Sequence, residues 1–232
     1  MIPKKIHYCW FGGAEKPRLV TKCIDSWKKY CPDYEVIEWN ENNFDINMNG
    51  YTKWCYETKR YAFLSDYVRL WVVYQHGGLY LDTDVELIRN PDFLLADEAF
   101  FGFENEQWVN TGHGFGSVSQ GAALHYMLAE YEPLLDGKSG TLGCPRLNTQ
   151  ALLKVGLQRN GKYQKLSSAT IYPKEYFNPY ESKIGKLNNT KSTVSVHWYT
   201  GSWLTPAQKL RSVIGRFVRR VFGENFAEKF KR

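Results

Sequence analysis

Tyr61–Val85 reads YAFLSDYVRLWVVYQHGGLYLDTDV and carries, in order, a helical pattern, a glycine break, a short apolar strand and an acidic triplet. Leu64, Val68, Trp71 and Val72 recur at the spacing of one buried helix face, which leaves Asp66 and Arg69 roughly opposite as a second, charged face. His76-Gly77-Gly78 ends the helical pattern with residues that tolerate positive φ, and Leu79-Tyr80-Leu81 is apolar and short enough for a buried strand. Asp82 and Asp84, two residues apart, share one face if that strand continues through them. Like charges on one face near a sheet interior are costly unless a cation neutralises them. A hard divalent ion that takes oxygen ligands, Mg²⁺ or Mn²⁺, answers that need. An Asp-x-Asp by itself decorates many turns, so the assignment rests on its surroundings.

The 232 residues suit one domain with a substantial core. Mean hydropathy is −0.48 and no apolar run approaches ~20 residues, which argues against a transmembrane span. The opening places Lys4 and Lys5 before a mixture of His7, Gly12, Gly13 and Glu15 rather than an apolar signal core, so it is expected to be structural from the start. Cys9, Cys23, Cys31, Cys55 and Cys144 form no Cys-x-x-Cys pair and sit largely among apolar neighbours. Reduced, buried thiols and a cytoplasmic location are expected. The net charge of +6 belongs to one end: Pro206–Arg232 holds eight Lys or Arg and two Glu, while residues 1–205 hold 22 basic and 22 acidic side chains. A nucleic-acid surface on the body is therefore not expected.

Lys4–Trp10 alternates as a first strand, Val20, Cys23, Ile24, Trp27 and Cys31 follow helical spacing after Pro17, and Tyr34–Trp39 returns to strand. Such a strand-helix-strand opening begins an α/β fold with a mainly parallel sheet and nucleotide bound at the strands' carboxyl ends. A helix over Tyr51–Lys59 follows an asparagine-rich loop. Beyond the acidic triplet, strands are expected near 85–88, 99–103 and 114–118, and helices around Leu124–Tyr131 and Leu147–Leu157. The aromatic loop Tyr176–Tyr180 either lines a carbohydrate or base pocket or packs the loop. Val194, Val196 and Trp198 alternate with Ser195 and His197, so His197 points away from that strand's apolar face. From Pro206, an apolar stripe through Leu210, Val213, Ile214, Phe217, Val218, Val221 and Phe222 faces away from Arg216, Arg219 and Arg220. This amphipathic helix either packs on its own domain or lies on an anionic membrane surface.

Ser65-Asp66-Tyr67-Val68-Arg69, Gly77–Asp84, His197 and Ser202-Trp203 together resemble the DXD sugar transferases of glycosyltransferase family thirty-two. That family includes bacterial capsule enzymes and fungal mannosyltransferases, and its core resembles the glucosylating domains of large clostridial toxins. The resemblance implies a GT-A fold over residues 1–205, with 206–232 as an appended basic helix. It also implies Mn²⁺ or Mg²⁺, with Mn²⁺ favoured, and transfer with retention of a hexose-type sugar from a nucleotide-sugar donor, UDP-sugar favoured over GDP-sugar. The acceptor it implies is a saccharide or lipid-linked saccharide of surface or capsular polysaccharide synthesis, met in the cytoplasm or at the inner face of the membrane. By position, Asp84 would bind metal directly and Asp82 would hold metal and donor ribose. Asp66 and Arg69 would bind the donor sugar, and Ser202 and Trp203 the leaving diphosphate. His197 would be a closing metal ligand. Without the resemblance, Asp66 and Arg69 would read as a surface ion pair worth ~0.2–0.5 kcal/mol. Tyr8 and Trp10 are candidate walls for the donor base or else core aromatics, and Asn110 is a candidate donor or acceptor contact.

The residue types suit this chemistry. Charge builds on the leaving β-phosphate as the anomeric carbon becomes oxocarbenium-like, and a metal held by Asp82 and Asp84, with the fixed charge of Arg69, stabilises it. No side chain stands out as a nucleophile for a two-step retaining route. Two other functions share the motif. LYLDTDV also fits an aspartate-nucleophile phosphatase of the haloacid dehalogenase type, though that family places the motif near the start of the chain and needs later acidic residues, and beyond Asp97 the sole aspartate is Asp136. A non-enzymatic carbohydrate- or membrane-binding module could use the acidic pair for structural Ca²⁺.

Overall fold

The computed structural model describes residues 1–201 and, beyond them, residues 208, 211, 213–215 and 219, each of these last six in helical conformation. Ser202, Trp203 and most of the expected basic helix lie outside the described residues.

Within residues 1–201 there are eleven strands, β1 (Lys5–Cys9), β2 (Glu35–Trp39), β3 (Gly78–Tyr80), β4 (Val85–Leu87), β5 (Ala99–Gly102), β6 (Phe115–Ser117), β7 (Gln164–Lys165), β8 (Thr170–Tyr172), β9 (Tyr180–Glu181), β10 (Lys186–Leu187) and β11 (Ser195–His197), and five α-helices. The helices are α1 (Arg18–Tyr30), α2 (Gly50–Glu57), α3 (Tyr61–His76), α4 (Ala122–Ala129) and α5 (Cys144–Lys154). Seven strands form one sheet in the order β2-β1-β3-β6-β5-β8-β7. β6 and β7 run against the other five, so the sheet is mixed and mainly parallel.

The period of two along each strand divides the apolar residues between two cores. Ile6, Tyr8, Leu79, Leu81 and Phe100 face Val20, Ile24 and Trp27 of α1, whereas Cys9, Tyr80, Phe101 and Phe115 face Leu64, Val68 and Val72 of α3 and Met127 of α4. α3 is more buried than its apolar spacing predicts. Tyr67, Arg69, Leu70 and Val73 are buried as well, and Trp71 is half-buried, because the helix has neighbours on both sides and its charged face has no outlet to solvent. Gly77 ends α3 at φ 63, where a side chain would be strained, and a Cβ there would also meet Pro3 and Ser119 at 2.9 Å.

One outcome differs from the sequence reading at the central motif. β3 ends at Tyr80, and Asp82–Val85 forms a turn in which the Val85 N–H donates to the Asp82 carbonyl at 2.9 Å. The chain re-enters as β4, pinned to α1 by Trp27 Nε1 donating to the Val85 carbonyl at 2.8 Å and by the Leu87 N–H donating to Ser26 Oγ at 2.9 Å. β4 pairs antiparallel with β11, setting His197 opposite Val85.

A buried histidine secures β1. Trp39 Nε1 donates to His7 Nδ1 at 3.0 Å, which leaves the proton on Nε2 facing the Gly77 carbonyl at 2.9 Å. Protonating Nδ1 would turn that acceptor into a donor facing a donor. Burial, only partly offset by the Gly77 carbonyl, lowers this pKa from 6.5 to about 4. Because the unfolded chain binds this proton first, stability is full above pH 6.5 and falls as pH drops towards 4. The loss from His7 is about 3 kcal/mol, with buried His113, also depressed, acting in the same direction. Urea unfolding midpoints measured from pH 7 to 4.5 should lose less, or gain more, in His7→Asn than in the wild-type protein, even though that variant begins less stable.

Candidate active site

Charged side chains gather at the carboxyl end of the sheet, where β3 and β5 end and β6 begins. Arg69, 3% exposed, reaches from α3 to Asp66 Oδ1 at 2.8 Å and to Asp82 Oδ1 at 3.1 Å, and its Nε donates to the Ser65 carbonyl at 3.1 Å. The pair is thus a largely buried bridge from α3 to the acidic turn rather than a surface ion pair. Its remaining nitrogen, Nη1, has no protein partner.

Asp84 and His197 form the second half. His197 Nε2 lies 3.1 Å from Asp84 Oδ1, while Asp84 Oδ2 accepts from the backbone N–H and the hydroxyl of Thr200 at 2.8 and 2.9 Å. Burial alone would raise the Asp84 pKa, but His197 and the Thr200 hydrogen bonds outweigh it and hold this carboxylate well below its usual range. For His197 burial lowers and Asp84 and Asp82 raise, with a net rise above the ordinary value. Asp82 is pushed up to about 6 by burial and by neighbouring Asp84, against the pull of Arg69.

Asp82, Asp84 and His197 each offer one ligand atom, and these atoms lie within 4.8 Å of one another. Two carboxylate oxygens and an imidazole nitrogen fit a divalent cation of the Mn²⁺ kind.

Asn110 is 8% exposed and faces the same centre. Its Oδ1 accepts from the Gly112 N–H at 2.7 Å and from the thiol of Cys144, at the start of α5, at 3.4 Å. Trp10 lines an open cleft of ≈ 360 Å³ beyond the ends of β1 and β2, with Lys16, Glu38, Asn40, Glu41 and Asn42 among its other walls. Tyr8 does not line it. Its ring packs edge-on to Trp27 in the core, and it contributes through its hydroxyl, which donates to Glu38 at 2.5 Å. Of the aromatic loop, Phe177 packs against His113 and Phe100 in the core. The Asn178 amide turns towards Glu104 and Tyr199.

Other residues join the site without a signal in the sequence reading. A Cβ on Gly112 would stand 2.9 Å from Asp82 Oδ2, 3.0 Å from Asn110 Oδ1 and 3.1 Å from Arg69 Nη1, so the absence of a side chain lets these three groups converge. Glu104, just past β5, sits beside His197 and Asn110, with its pKa raised by burial. His113 is fully buried with both ring nitrogens unpartnered, its ring 6.3 Å from that of His197. Gly112 and His113 flank the Asn110 turn, and a polar turn at the head of β6 is the one cue that could have found them.

Comparison with known proteins agrees with this geometry. Residues 17–101 match the family model described as a glycosyltransferase sugar-binding region containing a DXD motif. The chain is 32% identical over 110 residues to inositol phosphoceramide mannosyltransferase 3 of Schizosaccharomyces pombe, a match covering 40% of this chain and 27% of that protein. It is 28% identical over 135 residues to subversion of eukaryotic traffic protein A of Legionella pneumophila, covering 46% of this chain and 20% of that one. The matches therefore span about a quarter or less of these relatives' lengths. Among solved structures, the PaToxG glycosyltransferase superposes with a TM-score of 0.53 at 17% identity, over 66% of this chain and 69% of that one. A glycosyltransferase involved in glycosylation of the major capsid of PBCV-1 superposes with a TM-score of 0.50 at 14% identity, over 89% and 97%. Residues 17–101 are thus similar to a DXD-type glycosyltransferase sugar-binding region, and the sheet and helices around them have the GT-A glycosyltransferase fold.

Proposed function

We propose that this chain is a metal-dependent glycosyltransferase that moves a hexose-type sugar, with retention, from a nucleotide-sugar donor to a saccharide acceptor. The observation that carries the reading is the convergence of Asp82, Asp84 and His197 within 4.8 Å beside buried Arg69. Asp82, Asp84 and His197 would hold the cation, which when bound would act as a Lewis acid on the donor diphosphate. Mn²⁺ suits the mixed oxygen and nitrogen donors better than Mg²⁺. Arg69 Nη1, locked in place by Asp66 and Asp82, offers a donor to a sugar hydroxyl or phosphate oxygen. Trp10 offers a face to the donor base in the open cleft. In transfer the bond from the anomeric carbon to the diphosphate breaks, the acceptor oxygen bonds that carbon, and the acceptor's proton passes to the leaving diphosphate. UDP-sugars are the first donors of choice and GDP-sugars the second, since one similar protein is named as a mannosyltransferase.

A lipid-linked saccharide of surface or capsular polysaccharide synthesis fits as acceptor, met at the cytoplasmic face of a membrane. All five cysteines are buried and free, as a reducing compartment allows. No helix among the described residues is long and apolar enough to cross a membrane. In the terminal segment, Val213 and Ile214 are 52% and 53% exposed and Arg211 is exposed with them, which supports docking on anionic lipid.

Incubated with UDP- and GDP-sugars and Mn²⁺, the protein should release nucleoside diphosphate slowly from one donor and lose this in Asp84→Ala. Release that persists in the variant or without metal would sink the proposal. Gly112→Ala should lower the same release by an order of magnitude or more while leaving the unfolding midpoint within about 1 kcal/mol of wild type, because the added methyl displaces Asp82 and Arg69 rather than core packing. Val213→Glu with Ile214→Glu should abolish co-sedimentation with phosphatidylserine vesicles and spare donor hydrolysis. Unchanged sedimentation would remove the membrane role.

A further inference from the structure

We infer that Thr200, held by a left-handed Tyr199, is a positioning residue that sets how tightly the Asp82–Asp84–His197 site holds its cation. This rests on the cation reading proposed above and extends it to residues outside the ligand set.

Asp84 lies at a turn rather than in a ladder, so little in the backbone fixes its carboxylate. Thr200 supplies what the turn does not. Its backbone N–H and its hydroxyl both donate to Oδ2, at 2.8 and 2.9 Å, so the carboxylate has one settled orientation. The other oxygen, Oδ1, is thereby presented to His197 and towards Asp82. Groups that orient a metal ligand from behind typically change metal affinity 10- to 100-fold when removed.

The placement of Thr200 is itself enforced. Tyr199 has φ 51, uncommon for a residue with a side chain, and Gly201 follows at φ 58. Three contacts hold Tyr199 there. Its ring packs on His197 with centroids 4.0 Å apart, its hydroxyl accepts from Asn178 Nδ2 at 2.6 Å, and that hydroxyl donates to Glu104 Oε1 at 3.4 Å. Asn178 is 5% exposed and also donates to the Glu104 carbonyl at 3.4 Å, so the anchor belongs to the body of the fold. One tyrosine thus fixes the ring of one ligand and, through the next residue, the carboxylate of another. On the other side, the Trp198 N–H donates to the Asp84 carbonyl at 2.9 Å, which completes a clamp made by three consecutive residues.

Thr200 is otherwise exposed, so replacing its hydroxyl by a methyl removes one hydrogen bond and little packing. Mn²⁺ binding to the full chain, read from the electron paramagnetic resonance signal of free Mn²⁺, tests the proposal without donor or turnover. Thr200→Val should bind Mn²⁺ about 10-fold more weakly than wild type at an unchanged urea midpoint. Thr200→Ser should restore the affinity, and Tyr199→Phe, which removes only the link to Asn178 and Glu104, should weaken it in the same direction. A merely structural role would move the midpoint and leave the affinity alone. Wild type that binds Mn²⁺ together with Thr200→Val and Tyr199→Phe of equal affinity would overturn this inference and spare the cation site. Wild type that binds no Mn²⁺ would overturn the cation site and this inference with it.

Discussion

Everything at the carboxyl end of the sheet depends on a buried charge imbalance. Asp66, Asp82 and Asp84 face one guanidinium, Arg69, and one imidazole, His197. Even with His197 protonated, one negative charge is left over. Buried ion pairs recover their desolvation cost only with good geometry and complete hydrogen bonding, and this group is incomplete on the cationic side. The strain appears in Asp66 and Asp82, both raised by burial and Asp82 to about 6, while Asp84 keeps its charge by taking His197 and Thr200 for itself. A divalent cation relieves this imbalance directly. This excess of negative charge is the electrostatic ground for the cation site proposed above.

Topology supplies this arrangement at low cost to the core. Parallel β1, β3 and β5 all end at one edge, and antiparallel β6 begins there, so four separate segments deliver loops to the same place. The last contributor comes from far along the chain. β11 reaches Asp84 because β4, on leaving the acidic turn, is held by Trp27 and Ser26 of α1 and has an edge free for pairing. α1 thus takes part in the site while touching none of its charges: it fixes the strand that fixes His197.

Much of this was legible in the sequence where a period or a punctuation mark carried it. The helix Tyr61–His76, its glycine stop, the strand-helix-strand opening and the alternation that singled out His197 are all local patterns, and each stands where expected. That Asp66 and Arg69 are largely buried is not legible from spacing alone, since helical spacing reports which positions are apolar and says nothing of what packs opposite the polar ones. Glu104 and Thr200 carried no local signal, and Gly112 and His113 only that of a polar turn. Their roles arise from contacts across long sequence separations, such as 116 residues between Asp84 and Thr200, which no pattern within a single element encodes. Tyr8 shows the converse. It reads as a pocket wall or else a core aromatic, and it is in the core, while Trp10, on the same face but one residue past the end of β1, reaches the cleft.

The most instructive departure is the early end of β3. Had the strand continued through the triplet, Asp82 and Asp84 would share a face, but two residues of strand separate their Cα atoms by ~6.6 Å with side chains standing parallel. The turn closed by the Val85 N–H folds that distance and brings their ligand atoms, with the His197 nitrogen, within 4.8 Å. A turn lacks a ladder to hold it, and the missing constraint is supplied from outside, by Arg69 on Asp82 and by Thr200 and His197 on Asp84. Convergence of the charges and their anchoring are thus two aspects of one requirement: the chain leaves the sheet to bring these side chains together, and the charges around it restore the rigidity lost in leaving.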